Sequence, residues 1–82
     1  MIKVLRIHRI DNGSSLKAFA DIVFDDQVLI KGVRVLSGED DGLFVTMPKQ
    51  KSKNDKWYET VSLLDEEAKE ELQVVVLEAY EA

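Results

Sequence analysis

The 82-residue sequence contains no cysteine, one proline, one histidine and one tryptophan. Without cysteine there are no disulfides and no thiolate metal sites, so nothing covalent staples this small chain. That suits a reducing cytosol, and the expectation is a cytoplasmic protein. No stretch reaches the roughly 18 uninterrupted apolar residues of a membrane-spanning helix. The first residues, Met1-Ile2-Lys3-Val4-Leu5-Arg6, alternate charged and apolar side chains and so lack the apolar segment of a secretion signal. No membrane association is expected.

What is present is a globular balance, 45% hydrophobic and 33% charged. The length fits a single domain over residues 1–82. A domain of this size buries only about 60% of the surface its unfolded chain exposes, so pairing with a second copy would help it. Net charge is −5, but unevenly spread. Residues 59–82 hold eight acids against one base, Lys69, whereas residues 1–58 hold ten bases against eight acids. The acidic total argues against indiscriminate coating of nucleic acid while leaving room for a local basic site.

The pattern along the chain predicts strands first and a helix last. Residues 2–10 are rich in Ile, Val and Leu without a helix start signal, and Asp11-Asn12-Gly13-Ser14-Ser15 is turn chemistry. Residues 16–24 alternate, with Leu16, Ala18, Ala20, Ile22 and Phe24 on one face. Asp25-Asp26 predicts a tight hairpin into a third strand over 27–36, and residues 37–42 form the next turn. The apolar run 43–47 predicts a strand covered on both faces, ended by Pro48. Residues 49–56 read as a polar, lysine-rich loop and 57–61 as a short further strand. A helix is predicted over 64–80, with Ser62 and Asp65 as a capping box. Its apolar stripe is Leu64, Ala68, Leu72, Val75, Val76 and Ala79. Val74 and Leu77 fall on the far flank of that stripe, either as ordinary exposed residues or as a partner surface.

Catalytic chemistry finds little support. His8 has no orienting acid or nucleophile near it in sequence. The pairs Asp25-Asp26 and Asp40-Asp41 fit turn chemistry better than a shared proton or metal. Gly38 and Gly42 bracket acids, which would repel a phosphate. The expectation is a protein that is not an enzyme, with no catalytic residue, cofactor, metal or small-molecule substrate.

The one concentrated charge feature is Lys49-Gln50-Lys51-Ser52-Lys53-Asn54-Asp55-Lys56, followed by Trp57 and Tyr58. Lysines suit phosphate oxygens, Gln50 and Ser52 can hydrogen-bond to phosphates or base edges, and Trp57 is a candidate for stacking on a base. The alternative is a solvated loop anchored to the core by its aromatics.

The segment Val33-Arg34-Val35-Leu36-Ser37-Gly38-Glu39-Asp40-Asp41-Gly42-Leu43-Phe44-Val45-Thr46-Met47-Pro48 resembles the signature of the SpoVG family (stage V sporulation protein G, or septation protein). The core of the likeness is Gly42-Leu43-Phe44-Val45 followed by Met47-Pro48 and a basic stretch. Lys17-Ala18-Phe19-Ala20-Asp21-Ile22, Val28 and the helix ending at Tyr80 fit the same register. The resemblance implies an α+β fold, a curved antiparallel β-sheet of four to five strands with a C-terminal α-helix, assembled as a homodimer. It implies DNA and RNA binding, with roles in gene regulation, sporulation and asymmetric septation. The positions after Met-Pro that it associates with nucleic acid are Lys49, Gln50, Lys51 and Ser52 here, with Lys53 and Lys56 as further bases. Two departures stand out: Lys49-Gln50-Lys51 replaces the usual Ser-Lys-Arg run, and Glu59-Thr60-Val61-Ser62-Leu63 lacks the His-Pro step before the helix. A competing expectation is a non-catalytic protein-interaction module that uses a sheet edge and the helix flank.

Overall fold

The computed structural model describes residues 1–10, 12–40 and 42–82. The turn expectations at Asp11 and Asp41 lie outside the described residues. Strands β1 (Ile2–Arg9), β2 (Leu16–Phe24), β3 (Val28–Ser37) and β4 (Leu43–Thr46) form one antiparallel sheet in the order β1-β2-β3-β4. Strands β5 (Lys49–Lys51) and β6 (Trp57–Glu59) form a separate hairpin, and α1 (Glu66–Glu81) closes the chain. The expected α+β fold is therefore observed.

Alternation in β2 places Ala18, Ala20 and Ile22 on one face, all at most 1% exposed. They join Ile30, Val33, Val35, Val45 and Met47 from β3 and the β4 end, and Leu72 and Val76 from α1, in one core. Complete burial of a side chain such as Ile22 or Val76 contributes about 1.5–3 kcal/mol. The helix packs against β1 and β4, the two edge strands, so the sheet curls around it.

Three register shifts accompany that curvature. Each adds one residue to one strand: near Leu5 in β1, near Lys17 in β2, and at Lys31-Gly32 in β3. The last explains why Ile30 and Val33, three apart, both face the core. Gly32 sits at φ 88°, a conformation that costs glycine nothing. Between β2 and β3, Asp25 and Asp26 both adopt left-handed backbone (φ 53° and 56°), and the Gln27 N–H donates to the Phe24 carbonyl at 3.0 Å. This is the hairpin the aspartates predict, with φ > 0 at both central positions. The Met1 amine lies 2.6 Å from Asp25 Oδ1, and that hydrogen bond raises its pKa above the ordinary value.

Four expectations need correction. Residues 49–56 are not a plain loop: they hold β5 and the turn of a hairpin that pairs with β6. The run 43–47 is not covered on both faces, because β4 is an edge strand: Val45 within it and Met47 just after it are buried, but Phe44 is 42% exposed. The helix starts later than predicted: Asp65 is its N-cap, accepting from the Ala68 N–H at 3.2 Å, while the Ser62 hydroxyl donates to Glu59 Oε1 instead. Leu64, outside the helix, is 92% exposed, and Leu77 packs against the core rather than lying on an open flank. Val74 is exposed, as its position predicts.

The helix also ties down both edges of the sheet. The Gln73 side chain donates Nε2–H to the Val45 carbonyl at 2.7 Å and accepts the Val45 N–H at 2.9 Å. Its amide thus stands in for a neighbouring strand. On the opposite edge Glu71 accepts the Ile2 N–H at 2.9 Å. The last turn of α1 has no basic residue of its own. Arg9 of β1 supplies the cation there, donating to the carbonyls of Tyr80 and Ala82 and lying over the Tyr80 ring.

Candidate nucleic-acid interface

The hairpin begins at Pro48, which has no N–H for the β4 ladder. Its carbonyl instead accepts both the backbone N–H (3.0 Å) and the hydroxyl (3.3 Å) of Thr60, closing the base of the hairpin. At the far end, the Ser52 N–H donates to the Lys56 carbonyl at 2.8 Å and the Asp55 N–H to the Ser52 carbonyl at 3.1 Å. The Ser52 hydroxyl oxygen accepts from the N–H groups of Asn54 and Lys56, both at 3.3 Å. Asp55 completes the turn with φ 60°. Ser52 is therefore a turn organiser, and only its O–H is left to donate outward.

Every residue of β5 and β6 is exposed. Lys49, Gln50, Lys51, Lys53 and Lys56 thus all present side chains to solvent, whereas Ser52 is half-buried. Lys51 is engaged by Asp55, with 3.6 Å between Nζ and Oδ1. Lys49 lies opposite Glu59 in the hairpin register. Both line a cleft of about 440 Å³ between the hairpin base and the first half of α1, together with Lys69 and Gln73. Gln50 pairs with Tyr58, and Lys51 with Trp57.

Trp57, 58% exposed, joins the hairpin to the main sheet. The Arg34 guanidinium of β3 lies 5.6 Å from the Trp57 ring centroid and 5.9 Å from that of Phe19 on β2. Cation–π contacts of this kind contribute about 0.5–1 kcal/mol at exposed sites. Arg34 and Phe19 belong to the sheet face opposite the helix, in the cross-strand row His8–Phe19–Arg34–Thr46. Sequence reasoning missed Arg34 as a site residue. Its signal was there, since it lies between Val33 and Val35, which both face the core, so alternation sends it outward. Its alignment with Trp57, 23 positions on, is a tertiary fact. His8 is exposed in the same row, and no group of three or more His, Cys, Asp or Glu positioned for a metal occurs among the described residues.

Charge is segregated across the sheet. The helix carries Glu66, Glu67, Glu70, Glu71, Glu78 and Glu81 on one side. The opposite face carries Lys3, Arg6 and Arg34, with Asp21 its one carboxylate among the described residues of the strands. Trp57 ties the hairpin to that face through Arg34, while Lys49 lines the cleft beside the helix. Among the described residues, no helix is long and apolar enough to cross a membrane.

These features define a small α+β protein with an open, basic and aromatic surface backed by an acidic helix. The chain belongs to the SpoVG family, whose model matches residues 1–82. It is 39% identical over 80 residues to the putative septation protein SpoVG of Treponema denticola, covering 98% of this chain and 85% of that protein. The protein of the same name from Archaeoglobus fulgidus is 32% identical over 80 residues, covering 98% and 93%. That from Finegoldia magna is 33% identical over 76 residues, covering 93% and 69%. The resemblance read from Gly42-Leu43-Phe44-Val45 and Met47-Pro48 thus identified the family.

Proposed function

We propose that this chain is a single-domain, dimeric nucleic-acid-binding regulator of the SpoVG type, binding DNA or RNA phosphates through the hairpin 49–59. It acts without catalysis, in the cytoplasm, in control of gene expression linked to septation and sporulation. The observation that carries this reading is the hairpin itself: a closed hairpin holding four exposed lysines against two acids, Asp55 at its turn and Glu59 at its base. The helix carboxylates lie on the other side of the sheet from Trp57, which lowers their repulsion of a bound phosphate backbone. Binding through a strand edge is less favoured, because Gln73 already occupies the β4 edge at Val45.

The test is fluorescence anisotropy of labelled DNA and RNA over a salt series, for the natural chain and for a variant with Lys49, Lys51, Lys53 and Lys56 changed to Gln. Lys51 is engaged by Asp55, so three lysines per protomer set the slope. For a dimer the log–log slope is about −5 on duplex DNA, and it flattens in the variant. Absence of binding at low salt overturns the reading.

A further inference from the structure

The sheet face opposite the helix is half-apolar, yet none of the described elements covers it. Phe44 is 42% and Leu29 48% exposed on it, and Trp57 overhangs it at 58%. A purely apolar face would suit a protein core. This one is not purely apolar: Arg34 lies between the Phe19 and Trp57 rings, and Arg6 stands one row away opposite Asp21. Phe44 lies two residues from Thr46 on the same face of β4, about 7 Å along the strand. Aromatic rings and guanidinium planes at such spacing, ringed by cations, match the chemistry of unpaired bases on a phosphate chain. Each exposed base offers a π-face to stack, and the intervening phosphates meet lysine or arginine. A duplex hides those faces and offers only phosphates and groove edges to a flat surface.

We infer that this open face, from Phe19 and Arg34 through Phe44 to Trp57, is a stacking platform that selects single-stranded over duplex nucleic acid. The inference rests on the proposed nucleic-acid binding and adds the ligand class to it. The hairpin lysines supply affinity common to all strands, and the aromatics supply the discrimination. Charge complementarity favours this occupant over a protein partner: among the described strand residues the face carries Lys3, Arg6 and Arg34 against Asp21 alone, and the helix acids lie on the other side.

The test compares oligouridylate, oligothymidylate and a duplex DNA of equal length, all labelled, at fixed salt. The proteins are the natural chain, a Phe44→Ala/Trp57→Ala variant, a Phe44→Leu variant and the four-lysine variant. Both aromatics are exposed, so their loss leaves the core intact; amide exchange at Asn54 and Lys56 checks the hairpin that Trp57 helps to hold, and Phe44→Leu reads the platform with that contact untouched. The natural chain is expected to bind the single strands at least tenfold more tightly than the duplex. The double aromatic variant should lose roughly 100-fold on single strands and less than about twofold on duplex. Phe44→Leu keeps the apolar area but not the ring, and should lose roughly tenfold on single strands alone. Trp57 is the sole tryptophan, so stacking should quench the natural chain's emission with single strands and not with duplex. Equal losses on both ligands, no loss on single strands, or unchanged tryptophan emission overturns the platform. If the duplex is bound with lysine dependence but the aromatic changes do nothing, the platform alone fails. If no strand binds the natural chain at low salt, both readings fail.

Discussion

The two sheets of this protein are held together by different means. In the four-stranded sheet, Ile22, Val33 and Val35 are fully buried, and pairing of the strands is inseparable from the core beneath them. In the β5–β6 hairpin no strand residue is buried. It persists through the closures at Pro48 and Ser52 and through Arg34 beneath Trp57. Burial makes an element rigid and tied to global unfolding, whereas local hydrogen bonds at an exposed site let it open on its own. The candidate lysines and Trp57 sit on the second kind of structure, whereas Phe19, Arg34 and Phe44 sit on the first.

Substitutions can break or sharpen that contrast, beginning with the largest effect. Ile22→Ala removes fully buried volume at the centre of β2 and should cost about 3 kcal/mol in chemical denaturation, unfolding both sheets together. Gly32→Ala should cost about 1–2 kcal/mol in the same measurement. Its added Cβ meets only Pro48 Cβ at an ordinary 3.9 Å, so the cost is that of left-handed backbone. If Gly32→Ala is neutral, the bulge it marks bends more freely than the sheet around it. Gln73→Ala leaves both polar groups of Val45 without their partner and should cost about 1 kcal/mol, with the Val45 amide exchanging its hydrogen faster. Ser52→Ala should change global stability by less than about 0.5 kcal/mol while speeding exchange at Asn54 and Lys56. A cooperative loss of stability from Ser52→Ala would show that the hairpin is part of the main folding unit after all.

The sequence made some of these elements legible and hid others for physical reasons. Ala18, Ala20 and Ile22 repeat at the strand period, and Leu72 with Val76 at the helical one, so the core and its two layers could be read directly. The bulges could not, because an extra residue is defined only against the strand it faces. Gly32 marks one only once β3 is laid beside β2, and Leu5 and Lys17 carry no sign of theirs. The segment 49–56 looked like a loop because Lys-Gln-Lys has no apolar alternation. Its strand character comes from the Ser52 turn and the Pro48 carbonyl rather than from side-chain burial. Ser62 looked like the cap because Ser and Asp both serve there, and only geometry gives the role to Asp65. Of the site, the lysines and Trp57 were visible as composition. The contribution of Phe19, Arg34 and Phe44 emerges only when three strands are laid side by side.

Gln73 and Glu71 also set an order of events. The β4 edge lacks its partner until residue 73 is in place, and β1 lacks its own at Ile2 until residue 71 is. Strands that pair before the helix docks also lack Leu72 and Val76, the helix's share of their core. For that interval the sheet carries two bare rims able to recruit strands from other molecules. The helix is therefore also a shield, and removing residues 71–82 should leave both rims bare, the core uncovered and the product prone to clump.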